Sequence, residues 1–201
     1  MPVPDNPELN AVADDLVATI REAFGTSKTL RPVHARGQLV RGIFVPTAEA
    51  KFLSKAPIFK TASTQLLARF SCDTGFKDIK DTHIDANPRG LAIRFLLSDD
   101  GHTHFDVITN TAIGFAVDRG EGFLAMFKHA LGKITEEQLH KDWPFIPWYS
   151  RNRKPLAPMS FASEQWHGIH AFSLDAEDGT KTWFRTRLVS SSSNGLLILP
   201  D

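Results

Sequence analysis

Apolar residues recur at helical spacing near the start of the chain and then give way to strand-like runs. Leu9, Val12, Leu16, Ile20 and Phe24 fall three or four apart, the period of one helix face. Asn6 can cap that helix, Pro7 suits its first position, Glu8 favours the positive end of its dipole, and Gly25 ends it. Branched and aromatic residues then predict strands over 38–45, 66–72, 91–97 and 103–109. Ser98-Asp99-Asp100-Gly101 is a turn signal that joins the last two as a hairpin. Helical periodicity returns over 121–131, with Phe123, Met126, Phe127 and Leu131 on one side, and a shorter helix is predicted over 136–142. Four prolines make 143–158 an irregular crossing loop. Two further strands follow over 166–174 and 182–189, and the serine run from Ser190 to Ser193 is flexible by composition.

Strands outnumber helices and are mostly joined by short turns, which predicts an α+β fold: an antiparallel closed β-barrel with flanking helices. The organisation expected is a helical arm over 1–25, a barrel core over 26–189 and a flexible tail over 190–201. A chain of 201 residues buries roughly 70% of its unfolded surface, enough for a core without staples. Lys plus Arg and Asp plus Glu number 23 each, so no basic footprint points to nucleic acid or an anionic membrane. Cys72 is the single cysteine, which excludes an intrachain disulfide. The first residues lack a secretory pattern, no apolar run reaches a membrane span, and Leu199-Pro200-Asp201 is no peroxisomal address. The expected location is the cytoplasm.

Four segments carry candidate chemistry. Arg31-Pro32-Val33-His34-Ala35-Arg36-Gly37 sets one imidazole between two guanidinium groups. Neighbouring cations favour the neutral ring that a general base requires; the plainer reading is a surface histidine beside solvated arginines. Alternation in Leu67-Ala68-Arg69-Phe70-Ser71-Cys72 puts Arg69 and Ser71 on one face and Phe70 on the other. An inward arginine needs an anionic partner, met equally by a ligand carboxylate or an internal Asp. Asp85 to Phe95 reads as a polar turn feeding an apolar strand, and Phe105-Asp106-Val107-Ile108-Thr109-Asn110 as a strand ending in an amide. On local grounds Asn110 reads equally as a turn residue or as a ligand contact.

Taken together, in this order and spacing, the segments resemble the catalase family. The resemblance rests on Val33-His34-Ala35-Arg36-Gly37, Arg69-Phe70-Ser71, Pro88-Arg89-Gly90 and Asp106-Val107-Ile108-Thr109-Asn110. Trp166-His167-Gly168-Ile169-His170-Ala171-Phe172 with Arg185-Thr186-Arg187 is most similar to the small catalase-related haem peroxidases. The resemblance implies a haem b enzyme acting on hydrogen peroxide or small organic peroxides. His34 is then the distal acid–base group, Asn110 orients the peroxide and Ser71 fixes the His34 ring. Arg31 and Arg69 pair with haem propionates, Phe123 packs over the porphyrin beside Phe115, and Val33 narrows access to the iron. Self-association into a homo-oligomer is implied as well.

The sequence departs from that pattern in places. Asn110 is followed by Thr111-Ala112-Ile113 rather than a second asparagine, threonine and proline, and Asp118-Arg119 reverses the family's order. The family binds iron through a tyrosinate on a helix beyond the barrel. Tyr149 is the single tyrosine, precedes the last two strands and has no arginine one turn before it. The axial tyrosine is therefore expected to be absent from this chain. One alternative is a truncated or degenerate relative without activity, acting as a ligand-binding or interaction module. Another is a metal site built on His102, His104 and Asp106, joined by His167 and His170.

Overall fold

The computed structural model describes residues 4–152 and 160–191, so most of the expected tail lies outside the described residues. The chain divides into two compact units: Met1–Arg36 with Cys72–Pro88 and Gly114–Ala157, and Gly37–Ser71 with Arg89–Ile113 and Pro158–Asp201.

The first unit is helical. Helix α1 (Pro7–Phe24) begins where Asn6 Oδ1 accepts the Leu9 N–H at 3.0 Å. It ends at Gly25, whose φ of +62° is the left-handed conformation that glycine adopts without a side-chain clash. The predicted stripe packs from Val12 onward, while Leu9 stays exposed. Helix α2 (Gly120–Ala130) packs along α1, and Lys128 reaches Asp15 at 2.8 Å. Phe24 stands between Phe76 and Phe127, with edge-on ring separations of 5.1 and 5.7 Å. Helix α3 (Glu136–Asp142) starts with a reciprocal capping box between Thr135 and Gln138.

The expected crossing loop over 143–158 is corrected in part. Helix α4 (Ile146–Asn152) occupies it, because Pro147 falls in the first turn, where a missing N–H costs nothing. Ile146 is buried with Ala116 and Leu139, and Trp143 and Tyr149 pack against them. Residues 153–158 of that segment lie outside the described residues.

The second unit is an antiparallel sheet. Strands β1 (Gly37–Phe44), β2 (Thr64–Cys72), β3 (Arg89–Leu96), β4 (His104–Asn110), β5 (Trp166–His167) and β8 (Arg187–Leu188) follow in that spatial order. Strands β6 (Phe172–Asp175) and β7 (Lys181–Phe184) form a separate ladder. Gly101 turns the β3–β4 hairpin at φ +71°, and Ser98 Oγ accepts the Thr103 N–H. One sheet face carries the core: Ala68, Leu91 and Trp166 are buried, with Val40, Leu66, Phe70 and Ile93 against them.

The strands expected over 166–174 and 182–189 each break in two. The register slips by two residues between the β5–β8 and β6–β7 ladders. Gly168 marks the break: its N–H bonds Thr186 O at 2.7 Å, and a Cβ there would crowd Thr186. The α+β class and the antiparallel sheet are as expected. The expected closure is not made by the described strands: β1 and β8 end the order, and no described ladder joins them. Among the described residues no helix is long and apolar enough to cross a membrane.

Candidate functional site

In the first unit, the loop after α1 carries Arg31, Val33 and His34. Arg21 of α1 anchors it by donating through Nη1 to the carbonyls of Ser27 and Leu30, the latter at 2.9 Å. Gly75 lies beneath: a Cβ there would stand 2.4 Å from Pro32 O and 2.7 Å from Phe24 Cβ. Gly75→Ala is therefore expected to cost about 1–3 kcal/mol, read from the urea midpoint at unchanged slope.

His34 is the one described non-glycine residue at positive φ, +54°, a conformation that histidine visits more readily than most residues but still at a cost. The sequence suggested two cations acting on this ring, and the structure revises that balance. Arg36 Nε donates to Asp81 at 2.9 Å, which stabilises the guanidinium charge, while Asp73 Oδ1 lies 3.3 Å from His34 Nε2. Arg31 is exposed and Val33 half-buried.

The two phenylalanines singled out by sequence meet: Phe115 and Phe123 pack at 5.2 Å. Phe123 continues to Phe127 at 5.1 Å, and Phe115 to Tyr149 at 6.4 Å. These rings make an apolar wall in which Tyr149 takes part as a packing group.

In the second unit, register places a row of residues straight across the sheet. Gly37 pairs with Ser71, Gly90 with Asn110, Asn110 with His167, and His167 with Arg187. Ser71 is buried and its hydroxyl donates to Gly90 O at 3.4 Å, which links the β1–β2 pair to β3. Directly paired residues share a sheet face, so Ser71 and Asn110 stand on the face away from the core. Asn110 Oδ1 accepts the Ala112 N–H at 2.8 Å; that bond assigns the amide orientation and directs its NH2 group elsewhere. The local signals of a turn residue and a ligand contact are thus compatible: the oxygen makes the turn and the nitrogen stays a donor.

Arg69 follows on the same face by strand alternation, opposite Leu39. A Cβ on Gly37 would meet the Arg69 guanidinium carbon at 2.6 Å and Phe70 O at 2.4 Å. Gly37 is thus the cradle for this guanidinium. Leu39, Ile43 and Ile108 share the face and are 63%, 69% and 67% exposed, giving an open apolar surface beside the arginine.

Asp106 is held by an arginine. Arg94 grips it with both arms, Nε to Oδ1 at 2.8 Å and Nη2 to Oδ2 at 2.7 Å. His104 Nε2 lies 3.8 Å from the same carboxylate. Among the described residues no three His, Cys, Asp or Glu side chains gather to hold a metal ion. The Arg94 hydrogen bonds hold Asp106 below the ordinary carboxylate range, against the partial burial that opposes them. A carboxyl depressed in the folded state stabilises above its unfolded range and loses that contribution as pH falls through the folded value. Arg94→Ala should therefore raise the Asp106 titration midpoint toward 3.8, read by carboxyl carbon NMR.

Sequence reasoning missed three residues. Arg89 is 1% exposed; its main chain exchanges bonds with Thr111, and its guanidinium lies 5.7 Å from the Phe161 ring. An arginine between proline and glycine at the head of an apolar strand was the available signal. His167 enters the sequence reading within the stretch from Trp166 to Phe172 and as a possible metal ligand, with no link to Asn110, yet the two residues pair. Asp73 had no local signal at all.

The sheet, its one-faced core and the polar row define a catalase-like antiparallel fold. The family model described as Catalase matches residues 27–197. The chain belongs to the catalase family. It is 30% identical over 199 residues to a catalase-related peroxidase of Mycolicibacterium paratuberculosis, covering 94% of this chain and 61% of that protein. A catalase-related peroxidase of Synechococcus elongatus is 31% identical over 171 residues, covering 80% and 49%. The chain thus spans about half to three fifths of these relatives. A bacterial catalase structure superposes with a TM-score of 0.61 at 20% identity, covering 93% of this chain and 38% of that one, which bears on the fold.

Proposed function

We propose that this chain provides the proton-handling side of a haem-dependent centre that decomposes hydrogen peroxide or small organic peroxides. The observation that carries the reading is the row Ser71, Gly90 and Asn110 on the sheet face away from the core, with Arg69 and its glycine cradle beside it.

Those residues fit haem b on chemical grounds. Leu39, Ile43 and Ile108 offer exposed apolar side chains on that face, and the Arg69 guanidinium suits a propionate through paired hydrogen bonds. Arg31 would hold the second propionate, Phe123 with Phe115 would face the ring, and Val33 would restrict access. Tyr149 packs on Phe115 and is not assigned to the iron. When bound, haem supplies the redox chemistry that side chains lack.

The protein's part is to move one proton. His34 accepts it from one peroxide oxygen and returns it to the other, which departs as water. The Asn110 amide NH2 would donate to the peroxide and orient it. Closure of the sheet into a barrel, self-association and a cytoplasmic location belong to the same reading.

The test is peroxide consumption by purified protein supplied with haem, set against the same haem free in solution. Turnover per haem well above the free cofactor is expected. Turnover equal to it would favour a binding module that has lost the chemistry.

A further inference from the structure

A threonine on either side of Asn110 fastens the end of β4 to β3. Thr109 Oγ1 donates to Leu91 O at 2.8 Å. Thr111 makes two bonds to Arg89: its hydroxyl accepts the Arg89 N–H at 3.0 Å, and its own N–H donates to Arg89 O at 2.9 Å. Both threonines are buried, at 2% and 8% exposure. Gly90 and Asn110 face each other between the two attachments.

The attachments control different things. Thr109 lies within β4, and its hydroxyl adds a bond between strands already held in register. Thr111 lies just beyond β4 and is the middle residue of the short turn in which Asn110 Oδ1 accepts the Ala112 N–H at 2.8 Å. A turn closed by an asparagine side chain onto the backbone two residues on holds the amide only while the intervening peptide units keep their orientation. Arg89 grips the middle residue at both its N–H and its hydroxyl, which removes that freedom. A branched Cβ also restricts the rotamers open to the hydroxyl.

We propose that Thr111 is a positioning residue for Asn110: its clamp on Arg89 stiffens the turn from Asn110 to Ala112 and so fixes the direction in which the amide NH2 points. This rests on Asn110 being the peroxide-orienting amide of the proposed reaction. A donor orients a small substrate best when its own direction is set beforehand, because a side chain ordered only on binding loses rotamer freedom at that step. With Oδ1 held by the turn, the NH2 group is the donor that the clamp aims.

The test is nitrogen-15 relaxation of the Asn110 side-chain amide in the purified protein, with the signal assigned by its loss in Asn110→Asp. The parent should give an order parameter near about 0.8, in the rigid range. Thr111→Val keeps nearly the same shape, removes the hydroxyl and should bring the value below about 0.6. Thr111→Ser keeps the hydroxyl and should retain the parent value. Thr109→Val removes one bond between the strands outside the turn and should stay within about 0.1 of the parent. Unchanged order in folded Thr111→Val overturns the inference, as does an equal fall in Thr109→Val. A mobile amide in the parent, or an Arg89 N–H that exchanges with solvent as fast as an open one, overturns it without any variant. With haem supplied, turnover should fall in Thr111→Val by up to roughly 10²-fold and recover in Thr111→Ser. A loosened amide with turnover unmoved would remove Asn110 from the reaction and leave the clamp. Lost turnover with the amide still rigid would remove the positioning role alone.

Discussion

His34→Ala is expected to lower peroxide turnover of the haem-supplied protein by roughly 10²–10⁴-fold, the usual worth of a positioned acid–base group. The physical reason is that no other described side chain on the 31–37 loop can both take and return a proton near neutral pH. Arg31 and Arg36 stay charged throughout, and Arg36 is engaged by Asp81. Folding should suffer little. The side chain is partly exposed and its partner Asp73 more so, and exposed ion pairs contribute only about 0–1 kcal/mol. The thermal midpoint is the control: a lost rate with an unchanged midpoint assigns the effect to chemistry. Retention of most of the rate would remove the acid–base role from this residue. Asn110→Ala should cost less activity and some local order, since the same side chain also holds the Ala112 turn.

Arg89→Ala should lower stability by about 3 kcal/mol, well beyond a typical surface change. Arg89 is 1% exposed and is one of the two largest fully buried side chains described. Truncation would leave a cavity beneath Phe161, the aromatic face its guanidinium approaches. Its main-chain bonds to Thr111 lie at the start of β3, so the loss would be felt next to Asn110. Arg41→Ala, on the exposed edge of β1, is the contrast and should stay within about 0.5 kcal/mol. Urea unfolding of both variants reads the difference; equal midpoints would show that the buried guanidinium carries no special weight.

Much of the architecture could be read from the sequence because local and global signals agree. The Asn6 cap and Gly25 stop define α1 by themselves, and the turn from Ser98 to Gly101 defines the β3–β4 hairpin. The period-two pattern of Arg69, Phe70 and Ser71 separated core from site face, since Phe70 packs in the core and Ser71 joins the row to Gly90. What escaped was non-local. The break at Gly168 depends on a bond to Thr186 across a hairpin, and Asp73 meets His34 only because two distant segments are tied together. Helix α4 was hidden by proline content, where the position of Pro147 within the first turn decides the outcome and its mere presence does not.

The most direct test of the central claim is the visible absorption of purified protein titrated with haem. The account predicts a saturable Soret band, distinct from that of free haem, at one haem per chain. It also predicts weaker binding in Arg69→Leu, which removes the guanidinium cradled by Gly37. A spectrum matching free haem at every ratio would contradict it.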